Sequence, residues 1–66
     1  MINKSMTLEK ALDLIADVHF VDIRDATTER SLRYGTVTTS TMGIRDKVVS
    51  SITNDPNGDV IIYIYD

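Results

Sequence analysis

The sequence predicts a small α/β domain: a two- or three-layer unit with a three-stranded, mainly parallel sheet and two to three helices. Three observations point there. Apolar residues recur at helical spacing near the start of the chain and again in its second half. Short runs rich in β-branched and aromatic residues lie between and after those stretches. Strong turn chemistry, Asn54-Asp55-Pro56-Asn57-Gly58-Asp59, precedes the last run. Strands that alternate with helices imply right-handed βαβ crossovers.

The first element is a helix over 8–16. Thr7 is its N-cap, Leu8, Ala11, Leu12, Ile15 and Ala16 form the apolar stripe, and Glu9 suits the helix dipole. Lys10, Asp13 and Asp17 face water. Val18-His19-Phe20-Val21-Asp22-Ile23 then reads as a central strand over 18–23, too short for a convincing helix. Asp25 can cap a short helix over 26–32, which Gly35 would terminate in a left-handed conformation. The β-branched run Thr36-Val37-Thr38-Thr39 suits a half-exposed edge strand. Ile44, Val48 and Ile52 at i+4 spacing, with Val49 beside them, predict an amphipathic helix over 42–53 capped by Ser40 or Thr41. In the turn that follows, Pro56 presets φ, and Asn57 or Gly58 takes positive φ.

The final run, Val60-Ile61-Ile62-Tyr63-Ile64-Tyr65, shows no alternation of polarity, the pattern of a strand buried on both faces. Six residues of high β-propensity without charge or proline are an aggregation hazard at an open edge. Only Asp66 follows. The expectation is that one edge of this strand lacks a neighbour from its own chain and is covered by a partner or a second copy; the alternative is that the strand sits in the middle of the sheet. Tyr63 and Tyr65 would then lie on one face, Ile62 and Ile64 on the other.

Length and composition set the remaining bounds. Sixty-six residues make one domain, 1–66, and a domain of about 60 residues buries only ~60% of its unfolded surface. Small scaffolds add disulfides, a metal or association. The absence of cysteine removes disulfides, thiolate metal sites and a thiol nucleophile, and the single histidine, His19, makes a zinc site a poor fit. No cofactor is expected. Ten acidic against seven basic residues, net −3, are interleaved along the chain, which disfavours nucleic acid as a partner. No apolar stretch approaches the ~20 residues of a membrane span, and Met1-Ile2-Asn3-Lys4 leads into no signal-peptide core. The expected compartment is the cytoplasm.

With these elements placed, residues 7–65 resemble the first half of a rhodanese-like domain. Val21-Asp22-Ile23-Arg24-Asp25 is similar to the family's strand ending in Asp-x-Arg. Gly35-Thr36-Val37 stands for its Gly-Ala-hydrophobic strand start, and Ile61-Ile62-Tyr63-Ile64 for its strand before the active loop. The departures decide what the resemblance implies. The family's cysteine would fall at Ile64 or Tyr65, where none exists, and its histidine before the Gly-Ala pair is missing near Leu32 and Arg33. Sulfur transfer is excluded, and no catalytic residue carries over.

Asp22, Arg24 and Asp25 cluster at the carboxyl end of the central strand, where open α/β sheets bind ligands. One reading has Arg24 bind an anion with Asp22 orienting it. The preferred reading is a local ion pair beside a helix cap. His19 has no base or metal partner in view and reads as structural. The hydroxyls of Thr36, Thr38, Thr39, Ser40 and Thr41 lack the glycines and the lysine of a phosphate loop. Arg30 and Arg33 beside Tyr34 form either a recognition patch or a solvated helix face. The expected function is a non-catalytic protein-interaction module, self-associating or binding a protein through its last strand (Ile62, Tyr63, Ile64, Tyr65) or through Arg30, Arg33 and Tyr34. No small-molecule substrate is implied. The alternative is a small inhibitor, antitoxin or accessory protein of the phage or mobile-element type.

Overall fold

The computed structural model describes residues 6–15 and 20–66. The polar lead, the end of the first predicted helix, Val18 and His19 lie outside the described residues. Helix α1 spans Leu8–Leu14, with Thr7 as N-cap accepting from the Lys10 N–H at 3.3 Å. Leu8 and Ala11 are buried, and Leu12 and Ile15 pack at the margin of the core. This is the stripe expected from the sequence.

Strand β1 (Phe20–Asp25) turns into β2 (Ser31–Thr36), and the two pair antiparallel. The predicted helix over 26–32 is instead a hairpin loop followed by the start of β2. Asp25 still caps, but it caps a turn: its carboxylate accepts from the Thr27 N–H at 2.8 Å. Its carbonyl accepts from Glu29 N–H at 2.7 Å, and its own N–H donates to the Arg30 carbonyl at 2.9 Å. Closing the loop places Glu29 at φ 66, a left-handed conformation that glycine adopts at less cost. Gly35 sits within β2 and ends no helix.

The predicted edge strand over 36–39 is a single helical turn, α2 (Val37–Ser40). Its threonines favour this through local bonding. Thr36 caps it by accepting from the Thr39 N–H, the Ser40 hydroxyl donates to the Thr36 carbonyl at 2.6 Å, and the Thr41 hydroxyl donates to the Val37 carbonyl at 2.7 Å. The predicted helix over 42–53 is a loop followed by strand β3 (Val48–Asn54). Strand β4 (Val60–Tyr65) returns antiparallel to β3 through the expected turn. Within that turn the Asp55 N–H donates to the Asp59 carbonyl at 2.8 Å, and Gly58 takes φ 96.

The sheet has four strands in the order β2-β1-β4-β3, with a parallel β1–β4 pair at its centre between two antiparallel pairs. This corrects the three-stranded, mainly parallel sheet. It also corrects the position of the last strand. β4 is bordered by β1 on one side and β3 on the other, so its backbone groups are met from within the chain and it presents no edge. The helical spacing of apolar residues over 42–53 conceals β3, and without that strand β4 is one neighbour short. The outer edge of β3 is covered at its start: the Val49 N–H donates to the Met6 carbonyl at 2.7 Å, and Leu8 N–H to the Lys47 carbonyl at 2.8 Å.

Both helices pack on one face. Val21 and Ile23 of β1, Val60, Ile62 and Ile64 of β4 and Leu8 of α1 form the core, flanked by Leu12, Ile15, Val37, Ile44 and Val49. The arrangement is two layers, helices over sheet.

Candidate interaction surface

Side chains of a strand alternate between faces, so the packing of Val21, Ile23, Val60, Ile62 and Ile64 under the helices fixes what lies on the other side. Phe20, Asp22 and Arg24 of β1 and Ile61, Tyr63 and Tyr65 of β4 point away from the core. Cross-strand register adds Thr36 opposite Phe20, Tyr34 opposite Asp22, and Ser31 opposite Arg24. On β3, Ser51 lies opposite Tyr63 and Thr53 opposite Ile61. The unbroken apolar run of β4 is therefore two-faced: its even-numbered residues are buried, whereas Ile61 and Tyr63 are half-buried and Tyr65 is exposed. The expected separation of Tyr63 and Tyr65 from Ile62 and Ile64 holds.

This open face is built around a bonded set. The Arg24 Nε donates to Asp22 Oδ2 at 2.8 Å, and the Ser31 hydroxyl donates to Asp22 Oδ1 at 2.7 Å. The hydrogen bond to Asp22, then its charge, holds the Arg24 guanidinium above its ordinary pKa. Neighbouring Tyr63 adds a smaller effect in the same direction. Toward the other end of β1, the rings of Phe20 and Tyr34 stack with centroids 6.1 Å apart and planes 9° from parallel. The Tyr34 hydroxyl reaches across to Asp59 Oδ2 at 3.1 Å, and that hydrogen bond to a carboxylate raises the phenol's pKa.

The residues singled out from sequence separate. Ile62 and Ile64 are core side chains and are unavailable for contact. Arg33 and Tyr34, read as neighbours on a helix, are consecutive strand residues on opposite faces. Arg33 lies opposite buried Ile23 and donates from Nη1 to the Met42 carbonyl at 2.9 Å, while Tyr34 stands on the open face. Arg30 is exposed in the hairpin loop, where its N–H donates to the Thr28 hydroxyl. What converges is Tyr34, Tyr63 and Tyr65 with the Asp22–Arg24 pair. Phe20, Ser31 and Asp59 belong to the same set and lie beyond the site residues the sequence points to. The alternation Phe20, Asp22, Arg24 along β1 was the available signal for the first.

Among the described residues no group of three or more His, Asp or Glu side chains is placed to hold a metal ion, and no helix is long and apolar enough to cross a membrane. The chain matches no family model, no curated protein and no solved structure.

Proposed function

We propose that this protein is a non-catalytic interaction module that binds another protein through the open face of its sheet. The observation that supports this is the presence of Phe20, Tyr34, Tyr63, Tyr65 and Arg24 together on the one sheet face the helices leave uncovered. Tyrosine and arginine are the residue types that dominate binding hot spots, and aromatic rings supply contact area at low entropic cost. Arg24 is bonded to Asp22 and Tyr34 to Asp59, pairings that suit recognition better than proton transfer.

Four strands ~4.8 Å apart and six residues long at ~3.3 Å each give a flat footprint of roughly 400 Å². A stable interface takes about 800 Å² of accessible surface from each partner, so a complex through this small face, with another protein or a second copy, extends past the sheet or dissociates readily.

Photo-crosslinking tests the reading. A benzophenone amino acid placed at Tyr65, on the open face, is compared in native lysate with the same group at Met42, which is equally exposed elsewhere. One discrete adduct from position 65 that is absent from position 42 supports the module. Identical or absent adducts at both positions refute it.

A further inference from the structure

The open face is asymmetric in its hydrogen bonding. Its carboxylates already have donors from within the chain: Asp22 accepts from Arg24 and Ser31, and Asp59 accepts from Tyr34. Among the described residues, the groups left to engage a partner are the remaining N–H groups of the Arg24 fork, which can only donate, and the Tyr65 hydroxyl, which can donate or accept. Depth reinforces the asymmetry. The Arg24 side chain retains 34% of its exposure and Asp22 only 13%, so the cation is the more accessible member of the pair. Asp22 bonds to Nε, and Ser31 steadies Asp22 from the adjacent strand, so the guanidinium is held in one orientation before any partner arrives. A held donor loses less conformational freedom on binding than a free one.

Resting on the interaction-module reading above, we infer that Arg24 is the anchor of the open face and receives an aspartate or glutamate side chain of the partner protein. Apolar groups flanking that carboxylate cover Phe20, Tyr34 and Tyr63. A planar guanidinium with paired donors matches a carboxylate, and such charge-assisted bonds are the strong ones. The occupant is one carboxylate in an apolar setting and not a polyanion. The chain carries net −3, which opposes a nucleic-acid strand, and Arg33 of the same strand pair is turned to the far side.

The test uses the full chain and two capped tripeptides, acetyl-Phe-Glu-Phe-amide and its Gln counterpart, followed by ¹⁵N–¹H correlation spectra that include the Arg24 Nε–H signal. The glutamate peptide is expected to shift that signal and the amides of residues 22–24 and 61–65 saturably. The glutamine peptide should bind about tenfold more weakly, the worth of one charge-assisted hydrogen bond. Arg24→Gln should abolish the difference between the peptides. Arg24→Lys, which keeps the charge without the fork and guards against misfolding of the first variant, should retain part of it. Equal binding of the two peptides, absence of saturable shifts on this face, or discrimination that survives in Arg24→Gln would overturn the assignment. So would tighter binding of oligouridylate than of the glutamate peptide. A position-65 crosslink whose yield is unchanged in Arg24→Gln would remove the anchor and leave the module standing. Loss of the crosslinking contrast in the parent chain would remove the module itself.

Discussion

Alanine substitutions at Ile61 and Ile62, made one at a time, interrogate the two faces of β4 with identical chemistry at adjacent positions. Each removes three carbon atoms, and at ~0.8 kcal/mol per buried methylene the transfer contribution is ~2.4 kcal/mol for a fully buried site. Ile62 is 0% exposed beneath the helices, so the hole left behind adds to that, within the ~2–5 kcal/mol usual for Ile→Ala in a core. Ile61 is half-buried on the open face, where water fills the vacated space and about half of the transfer contribution, ~1 kcal/mol, is lost. The β-propensity lost with either isoleucine is common to both, so the difference reports burial. Urea unfolding followed by circular dichroism measures it. With a slope of ~1 kcal/mol per molar for so short a chain, the two midpoints should differ by at least ~1.5 M. A domain of this size has only ~3–10 kcal/mol in hand. If Ile62→Ala is unfolded, the Ile→Val pair carries the comparison at ~0.5–1.5 kcal/mol for position 62. Equal losses at the two positions would mean that the outer face is also covered, and both the open surface and the function built on it would fall.

Two further outcomes concern local features. Glu29→Gly should raise stability by about 0.5–1 kcal/mol, since glycine takes the left-handed φ of 66 without a Cβ penalty, less its greater entropy when unfolded. A fall in the urea midpoint would contradict the hairpin geometry. Tyr34 has a folded-state pKa raised above its unfolded value by the bond to Asp59. Its contribution is therefore complete below the unfolded tyrosine pKa and is lost as pH climbs through the folded one. Unfolding midpoints of the parent chain and Tyr34→Phe should differ near neutral pH and converge in strong alkali; a gap independent of pH would show that the bond does not form.

The first helix, the β1 strand and the last turn and strand were legible in the residues, because cap, stripe and turn chemistry agreed there. The middle was not, for reasons specific to it. Ile44, Val48 and Ile52 are four apart, close to one helical turn, yet a register shift between Val49 and Ser51 sets Val48 opposite Tyr65 on the open face and Ile52 opposite Ile62 on the core face, so the apparent stripe is not one face of the strand. Val48-Val49-Ser50-Ser51-Ile52-Thr53 also carries the β-branched residues and serines of a strand, a propensity outweighed by the apparent stripe. At 36–39 the reverse happened: threonines with strand propensity form a capped helical turn, since their hydroxyls bond to nearby backbone. The run over 60–65 looked buried on both sides because tyrosine and isoleucine are both apolar in the count, yet one face is only half covered. Of the candidate surface, Tyr34, Tyr63 and Tyr65 could be named from sequence. Their meeting with Phe20 and Asp22–Arg24 depends on the β1–β2 hairpin, which the helical assignment of 26–32 concealed.

The sheet is wired as two ribbons, β1–β2 and β3–β4, each closed by its own short loop and joined within the sheet along one parallel seam. Each ribbon joins segments close together in sequence, and that closure is entropically cheap. The seam joins residues some forty positions apart, Val21 to Val60 and Ile23 to Ile62, and it is also where the oily interior is thickest. Neither ribbon has a sealed interior until the other docks. Cooperativity in so slight a molecule is thus vested in one line of contact, and whatever loosens that line loosens everything at once.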